Sequence, residues 1–394
     1  MGRVNVVGAG PAGMMAAIFA ARAGARVLLL EKNSQPGKKL LLTGSGRCNL
    51  TNIFAGEDLL GHYPGGGRFL HSCLANFPPQ AICAFFQELG VELVQEDEGK
   101  IFPRTGEAGD VLAALLGELE RLGVEIHYNH PLAELLIEEG AICGLTTGDG
   151  KKFSGQKVIL ATGGASYPAT GSTGDGYRIA KKTGHRIIDP GPALVPLLLA
   201  ERWPRSLSGL AFPAEAQLQV GKRTIVEQGQ LLCTHFGLSG PLALNLSRHV
   251  TGKTALRLNL LPQLGAEEIF RDSASTIGQR LDRLLPHRLN RKLLELGQIE
   301  PSTKNLAPGP REQLSKLIFS LPLTVTGTRP QAQAMVTRGG VALNQVNPKT
   351  MASKDVDGLY FAGEVLDLDG ICGGYNLTAA FATGAAAGRA AGGA

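Results

Sequence analysis

The chain has no apolar run of about 18 residues or more, so no membrane-spanning helix is expected. Its six cysteines (48, 73, 83, 143, 233 and 372) form no CxxC pair and no zinc spacing. That pattern predicts free thiols in a reducing cytoplasm and no metal centre. Basic residues exceed acidic ones by five, yet they occur as scattered pairs (Lys38-Lys39, Lys151-Lys152, Lys181-Lys182) with no basic stripe. Nucleic acid is therefore not an expected partner. Aromatic residues make up only 5%, with a single Trp, whereas glycine is abundant at 53 of 394 residues. With 43% hydrophobic residues, this composition predicts a globular α/β protein with many close backbone approaches.

One glycine pattern is well developed. Gly8-Ala-Gly10-Pro11-Ala12-Gly13 follows the apolar run Val4 to Val7 and opens a small-residue stretch to Ala23. The order is strand, glycine turn, helix. Gly8 permits the tight turn, Gly10 lets backbone approach a pyrophosphate, and Gly13 allows close helix–sheet packing. The helix N-terminus adds unpaired N–H groups and a positive dipole end. A second strand, Arg26 to Leu30, ends in Glu31, whose carboxylate is placed to accept hydrogen bonds from ribose hydroxyls. Arg3, the following apolar residues and Ala23-Gly-Ala25 imitate a signal peptide, but cleavage there would destroy this nucleotide-binding start. A cytoplasmic protein is expected.

Further along, Ile82, Phe85, Phe86 and Leu89 recur at helical spacing, as do Leu112, Leu115, Leu116, Leu119 and Leu122. These stripes read as core. Ala133 to Glu138 and Ala141 to Thr147 flank the turn signal Glu139-Gly140. Lys157 to Leu160 reads as a buried strand ending in Ala161-Thr162-Gly163-Gly164. From about Asp189 prolines and short alternating segments take over: Ala216 to Val220, Thr224 to Glu227 and Ala255 to Asn259. Helical stretches follow around Ala266 to Leu284 and Arg311 to Ser320. Near Val336 to Val341 the chain returns to the first domain. It then offers one more strand ending in Gly363-Glu364, and a closing small-residue helix from Asn376 to Ala391. The expected organisation is an N-terminal cofactor segment (1–188), an inserted β-rich domain with a helical subdivision (189–337), and a C-terminal cofactor segment (338–394). A site built from both chain ends favours FAD over NAD, because the isoalloxazine lies far from the glycine turn. Gly373-Gly374-Tyr375-Asn376 would then offer N–H groups where flavin gains negative charge.

Several longer motifs carry a family resemblance. They are Gly37-Lys-Lys-Leu-Leu-Leu-Thr-Gly-Ser-Gly-Arg-Cys-Asn-Leu-Thr-Asn52, Thr170-Gly-Ser-Thr-Gly-Asp-Gly-Tyr177, Gly237-Leu-Ser-Gly-Pro241, Gly358-Leu-Tyr-Phe-Ala-Gly-Glu364 and Asp369-Gly-Ile-Cys-Gly-Gly-Tyr-Asn-Leu377. Together they resemble the BaiN-like (YhiN-like) FAD-dependent oxidoreductases over essentially the whole chain. The resemblance implies a glutathione-reductase-like, Rossmann-type FAD domain with the inserted domain described above. It also implies FAD contacts at Ala12, Glu31, Lys38, Leu132, Glu364 and Leu377. The family includes a bile-acid dehydro-intermediate reductase and an aminoacetone oxidase.

Other cofactor-binding candidates are Lys32; Gly44, Arg47, Cys48 and Asn49 in the second glycine loop; Ala161, Thr162 and Gly163; and Gly363, Gly374, Tyr375 and Asn376. Arg47 is the candidate for pyrophosphate or flavin contact. Tyr375 is either a proton donor to a substrate carbonyl or a packing residue. Cys48 reads as a small buried residue, and His185 and His235 as structural histidines. No second GxGxxG follows a strand, since Gly171-Ser-Thr-Gly174-Asp-Gly176 has the wrong spacing. NAD(P)H is thus expected only as a transient electron donor. The expected activity is hydride transfer between flavin N5 and a small or medium organic substrate, as an enone or imine reductase. The alternatives are an amine oxidase of the aminoacetone type, an RNA-modifying flavoprotein and a non-catalytic flavin sensor. Oligomeric state is left open.

Overall fold

The computed structural model describes residues 2–272 and 274–393. It divides into two compact units, Met1–Pro192 with Gln331–Ala394, and Ala193–Pro330. Among the described residues, no helix is long and apolar enough to cross a membrane.

The first unit is built on five parallel strands: β1 (Arg3–Val7), β2 (Arg26–Leu30), β3 (Glu125–His127), β4 (Lys157–Leu160) and β5 (Leu359–Phe361). Their order is β5-β4-β1-β2-β3. In β2 and β4 the apolar residues run without alternation, and in β1 buried Asn5 is the one polar residue after Arg3, as strands covered on both faces require. Helix α1 (Pro11–Arg22) is buried from Ala12 to Ala20, so its small residues face neighbours all round. Ile82, Phe85, Phe86, Leu115 and Leu119 are core, while Leu112, Leu116 and Leu122 are half-buried. The hairpin Leu132–Glu138/Ala141–Thr147 turns through Glu139 (φ 50°) and Gly140 (φ 81°), the doubly left-handed turn that matches strand twist.

The last helix, α2 (Tyr375–Gly392), lies against α1. A Cβ built on Gly384 would stand 2.4 Å from the Ala12 carbonyl oxygen. The same atom on Gly388 would stand 2.3 Å from Ala16 O, and on Gly392 2.5 Å from Ala20 O. Residues four apart share one helix face. The three glycines therefore form a side-chain-free stripe on which α1 lies backbone to backbone. Both residue series climb together, so the helices run parallel and start at the same end.

In the second unit, strands Leu197–Leu199, Gly237–Ser239, Arg223–Cys233, Ala211–Val220, Thr254–Asn259 and Leu321–Thr328 close into a barrel, in that order. Phe212, Ala214, Ala216 and Leu218 alternate inward. Helices Ile277–Asp282, His287–Leu296 and Pro308–Phe319 share its core. The expected helix over 266–284 is in fact a short 3-10 turn, Ala266–Phe270, and a separate helix whose capping box pairs Thr276 with Gln279. His287–Leu296 is a further helix that the pattern did not reveal.

Candidate active site

In an open parallel sheet, ligands bind beyond the carboxyl ends of the strands. Register brings four such ends together, because Val7 pairs with Leu30 and with Leu160, and Leu160 pairs with Phe361. The turns that follow are Gly8–Gly13, Glu31–Asn33, Ala161–Gly164 and Ala362–Glu364. Gly8 has φ 102°, and a Cβ there would stand 2.5 Å from Ala161 O. A Cβ on Gly13 would come within 1.8 Å of Gly8 O, so the turn and the first helical residues touch. Gly10 differs: nothing lies within 4 Å of its Cβ position. It is the N-cap of α1, with no side-chain cap and no acid in the first turn. The uncapped N–H groups therefore lie beside open space, which suits an anion.

Glu31 is buried. Its carboxylate accepts the Ala9 N–H (2.8 Å), the Asn33 N–H (2.8 Å) and the Asn33 side-chain amide (2.7 Å). Of roughly four lone-pair sites, three are taken by protein donors and one is left, and the residue pins the glycine turn to the end of β2. The segment carrying Leu132 runs beside it, with Asn129 N–H on Asn33 O and His130 N–H on Glu31 O. Thr162 Oγ1 is buried with no protein partner.

The C-terminal motifs close on the same place. A Cβ on Gly363 would meet the Ala12 Cβ at 2.6 Å, and the Gly363 N–H donates to Thr383 in α2. Glu364 is held by Lys39 Nζ (2.7 Å), the Thr337 N–H (2.7 Å) and Ser166 Oγ (3.1 Å). The motif ending at Asn52 is a clamp on the start of α2. Thr51 and Thr378 share a hydroxyl contact of 2.7 Å, and Asn52 donates to Gly373 O (3.0 Å). The Asn49 amide, turned so that each atom meets a complementary group, donates to Thr51 O (3.0 Å) and accepts from the Gly374 N–H (3.0 Å). Gly374 (φ 90°) caps α2 with no side chain and no acid in the first turn. Two bare helix starts, from opposite ends of the chain, are thus fixed side by side.

A family description, HI0933-like protein Rossmann domain, matches residues 2–390. The chain belongs to this family. It is 34% identical to the 3-dehydro-bile acid delta(4,6)-reductase of Clostridium scindens, over 99% of each chain. It is 31% identical to the ribosomal RNA dihydrouridine synthase of Escherichia coli, over 94% of this chain and 93% of that one. Among solved structures, the 3-ketosteroid delta1-dehydrogenase of Sterolibacterium denitrificans superposes with a TM-score of 0.54. It is 14% identical and covers 98% of this chain and 99% of its own, which speaks to fold alone. The chain is an FAD-dependent oxidoreductase with a Rossmann-type cofactor domain, as its motifs implied.

Within this family fold, several candidates have protein partners of their own. Lys32 Nζ bonds Thr173 Oγ1 (2.7 Å) and Asp175 (2.6 Å), tying the Thr170–Tyr177 motif to the end of β2. Arg47 pairs with Glu96 and lies over the Phe102 ring at 4.3 Å. Lys39, absent from the expected set, reaches Glu364, whereas Lys38 is half-buried with no contact of that kind. Cys48 has φ 59° and is fully buried, and burial pushes its thiol up to about 12. Asn376 bridges both backbone groups of Gly370 at 2.8 Å. Tyr375 is buried with its ring against His62, and burial raises its hydroxyl well above the usual range. His185 is a satisfied core histidine between Thr183 and Ser353. Thr51, Asn52, Thr378 and His62 were not singled out, although Thr51 and Asn52 lie inside the most specific motif.

Proposed function

We propose that this protein reduces carbon–carbon double bonds conjugated to a carbonyl, with FAD seated between the starts of α1 and α2 and NAD(P)H as a transient reductant. The observation that carries the reading is the pair of uncapped, parallel helix N-termini contributed by opposite ends of the chain. The residues present fit a flavin dinucleotide: open space over Gly10, a buried unpartnered Thr162 hydroxyl, and one vacant lone pair on Glu31. In this reading Gly10 to Gly13 hold the pyrophosphate and Glu31 with Leu132 the adenosine end. Gly363 lies along the middle of the molecule. The N–H groups of Tyr375, Asn376 and Leu377 face the pyrimidine edge, where the positive end of α2 favours negative charge. FAD supplies hydride transfer at N5. Leu41 and Leu42 within the clamp motif and Ile53 and Phe54 directly after it are exposed and apolar. The two relatives support the choice of bond, because a 3-oxo-4,6-diene and a uracil ring share one reducible unit, a double bond in conjugation with a carbonyl.

The first reading of the substrate is a small or medium enone. A second, uracil in RNA, is favoured by charge. Residues 193–330 carry 17 Lys and Arg against 10 Asp and Glu, a net of +7, while the rest carry 22 against 24, a net of −2. Anaerobic mixing of the yellow holoprotein with NADPH or NADH, followed by a steroid dienone or a uridine-containing ribosomal RNA, tests both. Bleaching by the nicotinamide and recovery of colour with saturated product supports the reading. Peroxide release with amines, and no reoxidation by either acceptor, would replace it with an amine oxidase.

A further inference from the structure

Adding hydrogen across a conjugated double bond requires a proton as well as a hydride, and an imidazole lies against the start of α2. Helix Gly56–Gly61 ends at His62. The ring Nδ1 lies 2.6 Å from the Asp58 carbonyl oxygen. A carbonyl only accepts, so Nδ1 carries the hydrogen and Nε2 is the nitrogen that gains and loses a proton. No protein group among the described residues bonds Nε2. The ring stacks on Tyr375, the first residue of α2, with centroids 4.2 Å apart and planes at 19°. It also stacks with Phe54 at 5.0 Å and 28°. The His62 carbonyl accepts the Ile371 N–H at 3.0 Å, and Tyr63 donates its hydroxyl to Tyr375 O at 2.9 Å. Three attachments therefore fix this imidazole to the turn that opens α2.

Several neighbouring protic groups are committed elsewhere or shut away. The Tyr63 proton is on Tyr375 O, Thr51 and Thr378 bond each other, and Cys48 is fully buried. Ile53 and Phe54, both exposed, supply apolar surface beside the imidazole.

Resting on the double-bond reading above, we infer that His62 is the proton source of the reaction. Bound reduced flavin would supply hydride to the β-carbon of the conjugated double bond, and the Nε2 proton would pass to the α-carbon. The product would be saturated and the flavin oxidised, and the neutral imidazole would regain its proton from solvent. NAD(P)H supplies the two electrons. The titratable and charged groups around the ring are Asp58 on its own helix, Tyr63 and Tyr375 beneath it, Glu98 with its partner Lys100 near Tyr375, and Asp369 on the turn.

The experiment compares wild-type holoprotein with His62→Gln and His62→Phe, the latter retaining a ring between Phe54 and Tyr375. Both variants should keep stoichiometric FAD and normal bleaching by NADPH. Both should reduce 2-cyclohexenone slower by on the order of 10²–10⁴-fold. A readout without turnover uses oxidised holoprotein labelled with nitrogen-15 histidine. There, 2-cyclohexenone should shift the His62 Nε2 resonance, which is assigned by its loss in the variants. Wild-type rates in either variant, or enone binding seen in the flavin spectrum with no shift at His62, would overturn the role. A wild-type protein that neither binds nor reduces any conjugated enone or uracil would overturn the double-bond reading, and this role with it.

Discussion

Gly388→Ala perturbs the contact that sets the two helix starts side by side. The added Cβ would stand 2.3 Å from Ala16 O and 3.0 Å from both Ala16 C and Ala20 N. All three are main-chain atoms, so none can swing aside. Ordinary carbon–oxygen contact begins near 3.3 Å, and α2 must lift by about 1 Å. Glycine to alanine inside a helix otherwise gains about 1 kcal/mol from propensity. Overpacking costs about 1–3 kcal/mol, and lifting α2 also loosens the approaches of Gly384 to Ala12 and Gly392 to Ala20. The steric cost should win, leaving a net loss of up to about 2 kcal/mol. Gly117→Ala is the control, since it lies mid-helix in Ala108–Arg121 with nothing within 4 Å of its Cβ position. It should gain the propensity alone, about 1 kcal/mol. Thermal unfolding reads both, at roughly 1–2 °C per kcal/mol for a chain of this length. The FAD dissociation constant should rise for Gly388→Ala and stay unchanged for Gly117→Ala. If Gly388→Ala stabilises as Gly117→Ala does and binds FAD normally, the backbone-to-backbone seam is not what aligns the helices.

Glu31→Ala should weaken FAD by about 1.5–3 kcal/mol, the range for hydrogen bonds to a charged group, because the Ala9 N–H and the ribose lose the same acceptor; equilibrium titration of flavin fluorescence measures it. Native protein at pH 8 should leave Cys48 unmodified by iodoacetamide, since burial holds the thiol up to about 12, while denatured protein reacts; peptide mass mapping distinguishes the two. Burial lowers His185 below its ordinary value. As pH falls below about 6.5 the unfolded chain therefore takes up a proton first, and stability is lost. Urea unfolding at pH 7.5 and 5.5 should show that loss in wild type and less of it in His185→Gln.

What sequence makes legible here is local. Gly8 and Gly13 meet main-chain atoms within 2.5 Å of a Cβ position, and such demands select glycine whatever the rest of the chain does. Edges of elements that depend on long-range closure were less visible. The barrel needs Leu197 beside Thr328, a pairing that no local pattern encodes. Helix His287–Leu296 starts directly after Pro286 in a basic stretch and was absorbed into its surroundings. Long side chains were the hardest to place. Lys32 finds Asp175, and Lys39 finds Glu364, across separations of 143 and 325 residues. Either of two adjacent lysines could have made the second contact, and only the geometry selects Lys39. His62 looked ordinary because its value lies in the rings that stack with it, Phe54 and the far C-terminal Tyr375.

A crystal structure of the holoprotein measures the central arrangement most directly. The account predicts FAD pyrophosphate oxygens within hydrogen-bonding distance of the Ala12 and Gly13 N–H groups, and the flavin pyrimidine edge against the N–H groups that open α2. Flavin bound away from either helix start would contradict it.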